Sequence, residues 1–183
     1  MPTKTEISIF WFKRDLRVVD NPALQAAVFD PAPTLLVYNF EPMLLKNDHY
    51  DNRHWQFIAE SLAELNQFFS QYDTKILICS TEMHSLFAEI KNHYAIKSMY
   101  SHQETGLACT YDRDRFIDQL CRSEGIKWNE FTNQGVFRGL SNRKNWRKKW
   151  VQFMSESIQP WEAKKHSFVS NLAIDSMSVD AFE

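Results

Sequence analysis

A cluster of charged side chains follows directly after the first apolar stretch of the sequence. Five of the six residues in 7–12 are β-branched or aromatic, which is typical of a short buried strand. The next segment carries Lys13, Arg14, Asp15 and Arg17. Guanidinium groups bind anionic or carbonyl groups, and carboxylates accept hydrogen bonds from ring N–H groups. These residues therefore predict a polar recognition site at the end of the first strand.

A second polar loop, residues 101–106, follows another apolar stretch and contains Gln103 and Glu104. In open α/β sheets, ligands bind in the crevice formed by loops at the carboxyl ends of the strands. If the two preceding strands are neighbours, Arg14, Asp15, Gln103 and Glu104 belong to one crevice. Arg14 and Asp15 could equally pair with each other and only fix the turn.

Apolar strands alternate with helical patterns along the chain. The helix at residues 51–69 has the clearest pattern, since its apolar residues recur at spacings of three and four. Alternation of this kind predicts an α/β fold with a doubly wound, five-stranded parallel sheet of Rossmann-like type. Right-handed crossovers and coverage of both faces favour the strand order 3-2-1-4-5, which places the switch point between strands one and four. The predicted strands are residues 7–12, 34–40, 75–79, 95–100 and 126–131.

Several common catalytic signatures are absent from the sequence. The four glycines form neither a Gly-x-Gly-x-x-Gly fingerprint nor a Walker loop. There is no His-Glu-x-x-His pattern and no Gly-x-Ser-x-Gly elbow. We therefore predict a binding site with no catalytic residue and no metal.

Composition points to a cytoplasmic protein. The three cysteines lack a Cys-x-x-Cys pair, so a disulfide framework is not expected. No apolar run reaches membrane-spanning length, and we expect no membrane partner. The formal net charge of −2 gives the whole chain no electrostatic preference for DNA.

The C-terminal part combines basic and aromatic residues. Residues 138–149 contain six basic residues and no acidic one, and Trp146 and Trp150 lie within or beside this stretch. Such a helix can bind nucleic acid or a membrane. The alternative is a helix whose tryptophans dock on the domain while its charges face solvent or another domain.

The amino-terminal stretch also carries a family resemblance. Trp-Phe-Lys-Arg-Asp-Leu-Arg at 11–17, followed by Asp-Asn-Pro-Ala-Leu at 20–24, resembles the signature of the DNA photolyase/cryptochrome family. The resemblance extends over about residues 7–154. It implies the same strand order, and an amino-terminal domain that holds an antenna chromophore: a reduced folate, a deazaflavin or a flavin. In this family, flavin adenine dinucleotide (FAD) sits in a separate helical domain that follows.

The same resemblance adds further residues to the predicted site and its surroundings. Arg53 resembles an arginine that opens a helix near the antenna pocket, and Gln103-Glu104 resembles an acidic or amide pair after the fourth strand. Arg113-Asp114 resembles an Arg-Asp pair of the next helix. The resemblance thus implies a chromophore site that includes Arg14, Asp15, Arg53, Gln103 and Glu104.

The resemblance divides the chain into three parts. Residues 1–135 correspond to the photolyase-type α/β domain, 136–158 to a basic aromatic helix packed on it, and 159–183 to the start of an interdomain linker.

The full-length protein is then expected to repair DNA with light, as a lyase, or to sense blue light. The present residues lack the FAD domain, would contact DNA only within the full-length protein, and should be inactive alone. We expect the fragment to self-associate through the surface that the missing domain would cover. The alternative is a stand-alone nucleotide- or flavin-binding module of flavodoxin-like type.

Overall fold

A five-stranded parallel sheet forms the centre of the domain. The computed structural model describes residues 3–178. The sheet order is β3-β2-β1-β4-β5, and every pairing is parallel, which confirms the predicted fold class and switch point. The strands are β1 (Thr5–Phe12), β2 (Thr34–Asn39), β3 (Leu77–Cys79), β4 (Tyr94–His102) and β5 (Lys127–Phe131).

Within residues 3–178, six α-helices accompany the sheet, and local capping defines where two of them begin. The side chain of Asn21 accepts a hydrogen bond from the Leu24 N–H, with Pro22 at the first helical position. Asp51 caps the long third helix through a capping box with His54. The helices are α1 (Pro22–Val28), α2 (Pro42–Leu45), α3 (Asn52–Phe69), α4 (Met83–His93), α5 (Ala108–Ser123) and α6 (Trp146–Met154).

The core has two halves, one on each face of the sheet. Alternate residues of β1 point to opposite sides, so Ile9 and Trp11 pack with α4 and α5, while Phe10 and Phe12 pack with α1 and α3. Both faces are buried, as expected for a parallel sheet covered by helices. The polar loops after β1 and β4 therefore lie side by side at the carboxyl edge.

Sequence patterns misplaced some details. Phe116 of α5 matches the apolar period but is half exposed, and its ring contacts His84. Helix α6 begins at Trp146, after Asn145 in a left-handed conformation. No residue of α6 is buried, and its contacts include Phe137, whose ring centroid lies 6.3 Å from that of Phe153.

The segment after α6 crosses the domain as an extended strap. Phe168 and Val169 are buried, and the Val169 N–H donates to the Thr34 carbonyl at 3.0 Å. Farther along, the Met177 N–H donates to the Ile78 carbonyl at 2.8 Å. Within the described part, residues 159–178 thus contribute to the core, while their assignment to the start of a linker stays a prediction. Residues 179–183 of the predicted linker lie outside the described residues.

Candidate functional site

A cavity of about 350 Å³ opens at the carboxyl edge of the sheet, on the β2 side of β1. We call it the switch-point cavity. Loop 13–17, the end of β2 and the start of α3 contribute to it, and Glu104 and Arg113 reach in from the β4–α5 side. Its apolar walls include Phe12, Leu16, Leu44, Trp55, Phe57 and Ile58. This mixture of apolar walls and a few polar groups is typical of small-molecule sites.

Arg14 joins the two predicted loops. Its Nε lies 3.0 Å from Oε1 of Glu104, and a terminal nitrogen donates to the Tyr50 hydroxyl at 3.1 Å. A Cβ at Gly106 would lie 3.4 Å from the guanidinium, so this glycine leaves space for Arg14 to lie against the second loop. The side chain of Arg14 is 46% exposed, so part of the guanidinium remains available to a ligand.

Arg113 holds a group of buried carboxylates behind the cavity. It pairs with Glu41, with Asp114 at 2.9 Å and with Glu104 at 3.6 Å. Burial alone would lower the pKa of Arg113, but Glu41 and Asp114 outweigh burial and raise it. The guanidinium therefore remains charged and fixes the carboxylates that line the cavity.

Lys13 completes the buried charge network on the other side of Trp11. Its Nζ lies 2.8 Å from Oδ2 of Asp114 and 4.4 Å from the centre of the Trp11 ring. Burial lowers the pKa of Lys13, and the nearby Asp114 only partly opposes this effect. Because Lys13 and Arg113 both lie near Trp11, this tryptophan separates the polar edge from the apolar core.

Asp15 is fully buried and faces His102, not Arg14. Its Oδ2 lies 2.5 Å from Nδ1 of His102, and its Oδ1 accepts the Lys13 N–H at 2.9 Å. Burial alone would raise the pKa of Asp15, but the hydrogen bonds from His102 and Lys13 outweigh it, so the pKa lies below its ordinary value. Asp15 therefore shapes the loop and does not line the switch-point cavity.

Among the described residues around this cavity, Glu41 has a carboxylate oxygen that is an unpaired hydrogen-bond acceptor. Burial raises the pKa of Glu41, although the neighbouring Arg113 opposes the shift. Its Oε2 pairs with Arg113, whereas its buried Oε1 has no hydrogen-bond partner. A buried acceptor of this kind suits a ligand that brings an N–H donor.

The structure brings together only some of the predicted site residues. Arg14 and Glu104 meet in the switch-point cavity, and Gln103 lies beside them in a smaller cavity of about 70 Å³. Arg53 lies in the first turn of α3 at the same edge, but its side chain is 80% exposed, pairs with Asp51 at 3.9 Å and does not line the switch-point cavity.

Sequence reasoning missed Glu41 as a site residue. The available signal was its position two residues after the end of β2, followed by Pro42 at the start of a helix. The predicted site also lacks Arg113, although Arg113-Asp114 resembles an Arg-Asp pair of the family. Glu41 would have been predicted if every charged residue that follows a strand at the carboxyl edge of the sheet had been treated as a site candidate.

The fold and the cavity define a doubly wound α/β domain with a ligand cleft at its switch point. Comparison with known proteins makes this more specific. The chain belongs to the DNA photolyase family, whose sequence profile matches residues 8–171.

Relatives include both cryptochromes and photolyases. Cryptochrome-2 of Gallus gallus is 26% identical over 127 residues, which are 66% of this chain and 20% of the relative. Cryptochrome DASH of Arabidopsis thaliana is 27% identical over 127 residues, covering 65% of this chain and 22% of the relative. The chain therefore spans about a fifth of the length of these curated relatives.

Solved structures share the fold. The archaeal photolyase from Sulfolobus tokodaii, solved with two FAD molecules, has a TM-score of 0.75 and 21% identity, covering 97% of this chain and 41% of that chain. The cryptochrome of Synechocystis has a TM-score of 0.75 and 18% identity, covering 97% and 40%. The comparisons therefore favour an amino-terminal domain of this family over a stand-alone flavodoxin-like module. No helix within residues 3–178 is long and apolar enough to cross a membrane.

Proposed function

We propose that this chain is the antenna-chromophore domain of a photolyase or cryptochrome and that the chromophore binds in the switch-point cavity. The observation that carries the proposal is the cavity itself, where Arg14, Tyr50 and Glu104 converge beside the unpaired Oε1 of Glu41. Candidate chromophores are a reduced folate, a deazaflavin or a flavin. The two FAD molecules of the Sulfolobus tokodaii relative support the flavin class.

The chemistry of the cavity suits a flat heterocycle with polar edges. Tyr50 and Trp55 stack at 4.7 Å and provide an aromatic wall. Arg14 can donate to a ring carbonyl or an anionic group, while Glu41 and Glu104 can accept from ring N–H groups. The bound chromophore would absorb light, and these residues would bind it, orient it and exclude water.

The remainder of the protein would supply the chemistry that this domain lacks. We propose that the full-length protein adds a helical domain with FAD and uses light either to cleave DNA lesions or to signal. DNA would then bind to the full-length protein, and residues 1–183 alone would show no repair activity. A cytoplasmic location also remains a proposal.

Replacing Arg14 with alanine should weaken chromophore binding about 10- to 100-fold, because hydrogen bonds to charged groups contribute about 1.5–3 kcal/mol. Glu104 keeps its contact with Arg113 in this variant, so we expect the fold to survive. The measurement is equilibrium dialysis of the purified chain with FAD, with FMN and with a reduced folate, followed by fluorescence.

The matched control is Arg122→Ala. Arg122 lies at the end of α5, at the opposite edge of the sheet, and is largely exposed. Equal binding by both variants would exclude the proposed cavity. Arg53→Ala tests the role suggested by the family resemblance. Weaker chromophore binding would place Arg53 in the binding site, and unchanged binding would exclude it from the site.

The surface around α6 is a proposed contact for the helical domain. Trp146 and Trp150 stack on each other at 6.5 Å and remain exposed. Further exposed apolar residues flank this pair: Val136, Leu140, Val151, Met154 and Ile158. Exposed apolar patches of this kind usually mark interaction sites.

Without the helical domain, the isolated chain should self-associate through the α6 surface, most simply as a two-fold dimer. In such a dimer the basic residues of the two α6 surfaces would approach each other. Higher salt should therefore strengthen association, because it screens the repulsion between them. Sedimentation velocity and hydrophobic-dye binding test this, with Trp146→Glu/Trp150→Glu expected to be monomeric. A wild-type chain that stays monomeric and binds no dye would contradict the proposal.

A further inference from the structure

A second cavity of about 350 Å³ lies on the other side of loop 13–17, towards β4 and β5. We call it the His102 cavity. His102 at the end of β4 forms part of its wall, together with residues 132–134 after β5, the last two residues of α6 and residues 156–159 after it. Arg17 lines both this cavity and the switch-point cavity, but the other residues that line them differ.

His102 carries a buried nitrogen that lacks a partner in the described structure. Its side chain is almost fully buried, and its Nδ1 faces Asp15. On the other side of the ring, the buried Nε2 has no hydrogen-bond partner. Buried polar atoms rarely remain unpaired in native proteins, so Nε2 is expected to have a partner, and this cavity is the larger of the two cavities that His102 lines.

Asp15 determines which hydrogen-bonding role Nε2 has. Since Asp15 also accepts the Lys13 N–H, it acts as an ionised acceptor, and the Nδ1 proton of His102 points to it. In the neutral ring, Nε2 is then left with its lone pair free. With the ring neutral, Nε2 therefore offers an acceptor that requires an O–H or N–H donor.

The charged residues of the cavity disfavour an anionic ligand. Arg17 contributes one positive charge, whereas Asp20 and Glu156 contribute two negative ones. Carboxylates accept hydrogen bonds from hydroxyl groups, and the side-chain amides of Asn133 and Gln134 can both donate and accept. Apolar surface comes from Phe153, Met154 and Ile158.

We propose that the His102 cavity binds a small uncharged molecule of the nucleoside class, with His102 Nε2 accepting a hydrogen bond from it. A nucleoside combines hydroxyl donors with a flat base that can both donate and accept, which matches the polar and apolar parts of the wall. Asp15 is a positioning residue that keeps the proton on Nδ1. This site does not depend on the chromophore proposal.

The test is a titration of the full chain, labelled with ¹⁵N-histidine, with adenosine, uridine and adenosine monophosphate. We expect a nucleoside to shift the His102 Nε2 resonance in a saturable manner. Adenosine monophosphate should bind at least tenfold more weakly than adenosine, because its phosphate meets a net negative lining. An Nε2 resonance that responds to neither nucleoside, or tighter binding of the phosphate form, would overturn the proposal.

Two variants separate a binding role of His102 from a structural one. In His102→Asn the amide can still donate to Asp15, but the Nε2 acceptor is gone, and nucleoside affinity should fall at least tenfold. Thr132→Val removes a hydroxyl from the cavity wall without touching the His102–Asp15 pair and should weaken binding several-fold. The control is Ser123→Ala at the exposed end of α5, which should bind like the wild type.

Asp15→Asn tests the positioning role. The new amide would donate to Nδ1, so the proton of His102 should move to Nε2, and its ¹⁵N resonances should report the other tautomer. Nucleoside binding should weaken in the same variant. An unchanged tautomer, or unchanged affinity in His102→Asn and Thr132→Val alike, would refute the site.

Discussion

Replacing Arg113 with methionine should lower the free energy of unfolding by about 3–5 kcal/mol, the usual cost of removing one partner of a buried ion pair. The guanidinium is the partner of Glu41 and also contacts Glu104 and Asp114, all of them buried. Methionine preserves the length of the side chain but leaves these carboxylates without its charge. Urea unfolding followed by circular dichroism measures the change.

The control lies on the same helix. Arg122→Met removes an exposed arginine that pairs with Asp118 at 2.9 Å, and surface pairs contribute at most about 1 kcal/mol. If both variants lost the same small amount, the buried network would not stabilise the domain. Adding Glu41→Gln to Arg113→Met should recover part of the lost stability, because it removes one unpaired charge.

The network also explains why the cavity is well defined before a ligand arrives. Arg113 holds Glu41 and Glu104 on the cavity wall, and Glu104 in turn holds Arg14. Each carboxylate therefore has a fixed position. A ligand would meet acceptors that are already oriented, which lowers the entropic cost of binding.

The fold could be predicted from the sequence because its determinants are local or general. Apolar runs separated by capped helices give the α/β alternation, and the handedness of crossovers leaves few strand orders. The charged loop 13–17 and Glu104 therefore lie at the carboxyl edge of the sheet, whichever side chains they pair with. Their convergence in the structure follows from topology alone.

The pairing of charges could not be predicted in this way. Arg14 and Asp15 are adjacent in sequence, yet Arg14 pairs with Glu104 and Asp15 with His102. Neighbouring side chains point in different directions where the chain leaves β1, so distant residues become their partners. For the same reason, the exposure of Arg53 depends on side-chain packing that the sequence pattern does not contain.

The strap after α6 was the part least accessible from the sequence. Residues 159–178 carry a proline, several serines and no regular period, which favoured a linker. In the structure, Phe168 fills a gap between Phe69, Tyr72 and Trp161, with ring centroids 5.4–6.4 Å away. A single buried ring inside an irregular segment produces no periodic signal.

Replacing Phe168 with alanine should therefore lower the free energy of unfolding by about 3–5 kcal/mol, the range for truncating a buried phenylalanine. The ring is almost fully buried, and the adjacent backbone bonds of Val169 to Thr34 would lose their support. Thermal and urea unfolding measure the loss, and Phe29→Ala, at a phenylalanine that is largely exposed, is the control with an expected change of less than about 1 kcal/mol. A Phe168→Ala protein as stable as the control would mean that the strap only rests on the domain, and the linker prediction for residues 159–183 would then gain support. A large loss confined to Phe168→Ala would place the strap within the folding unit.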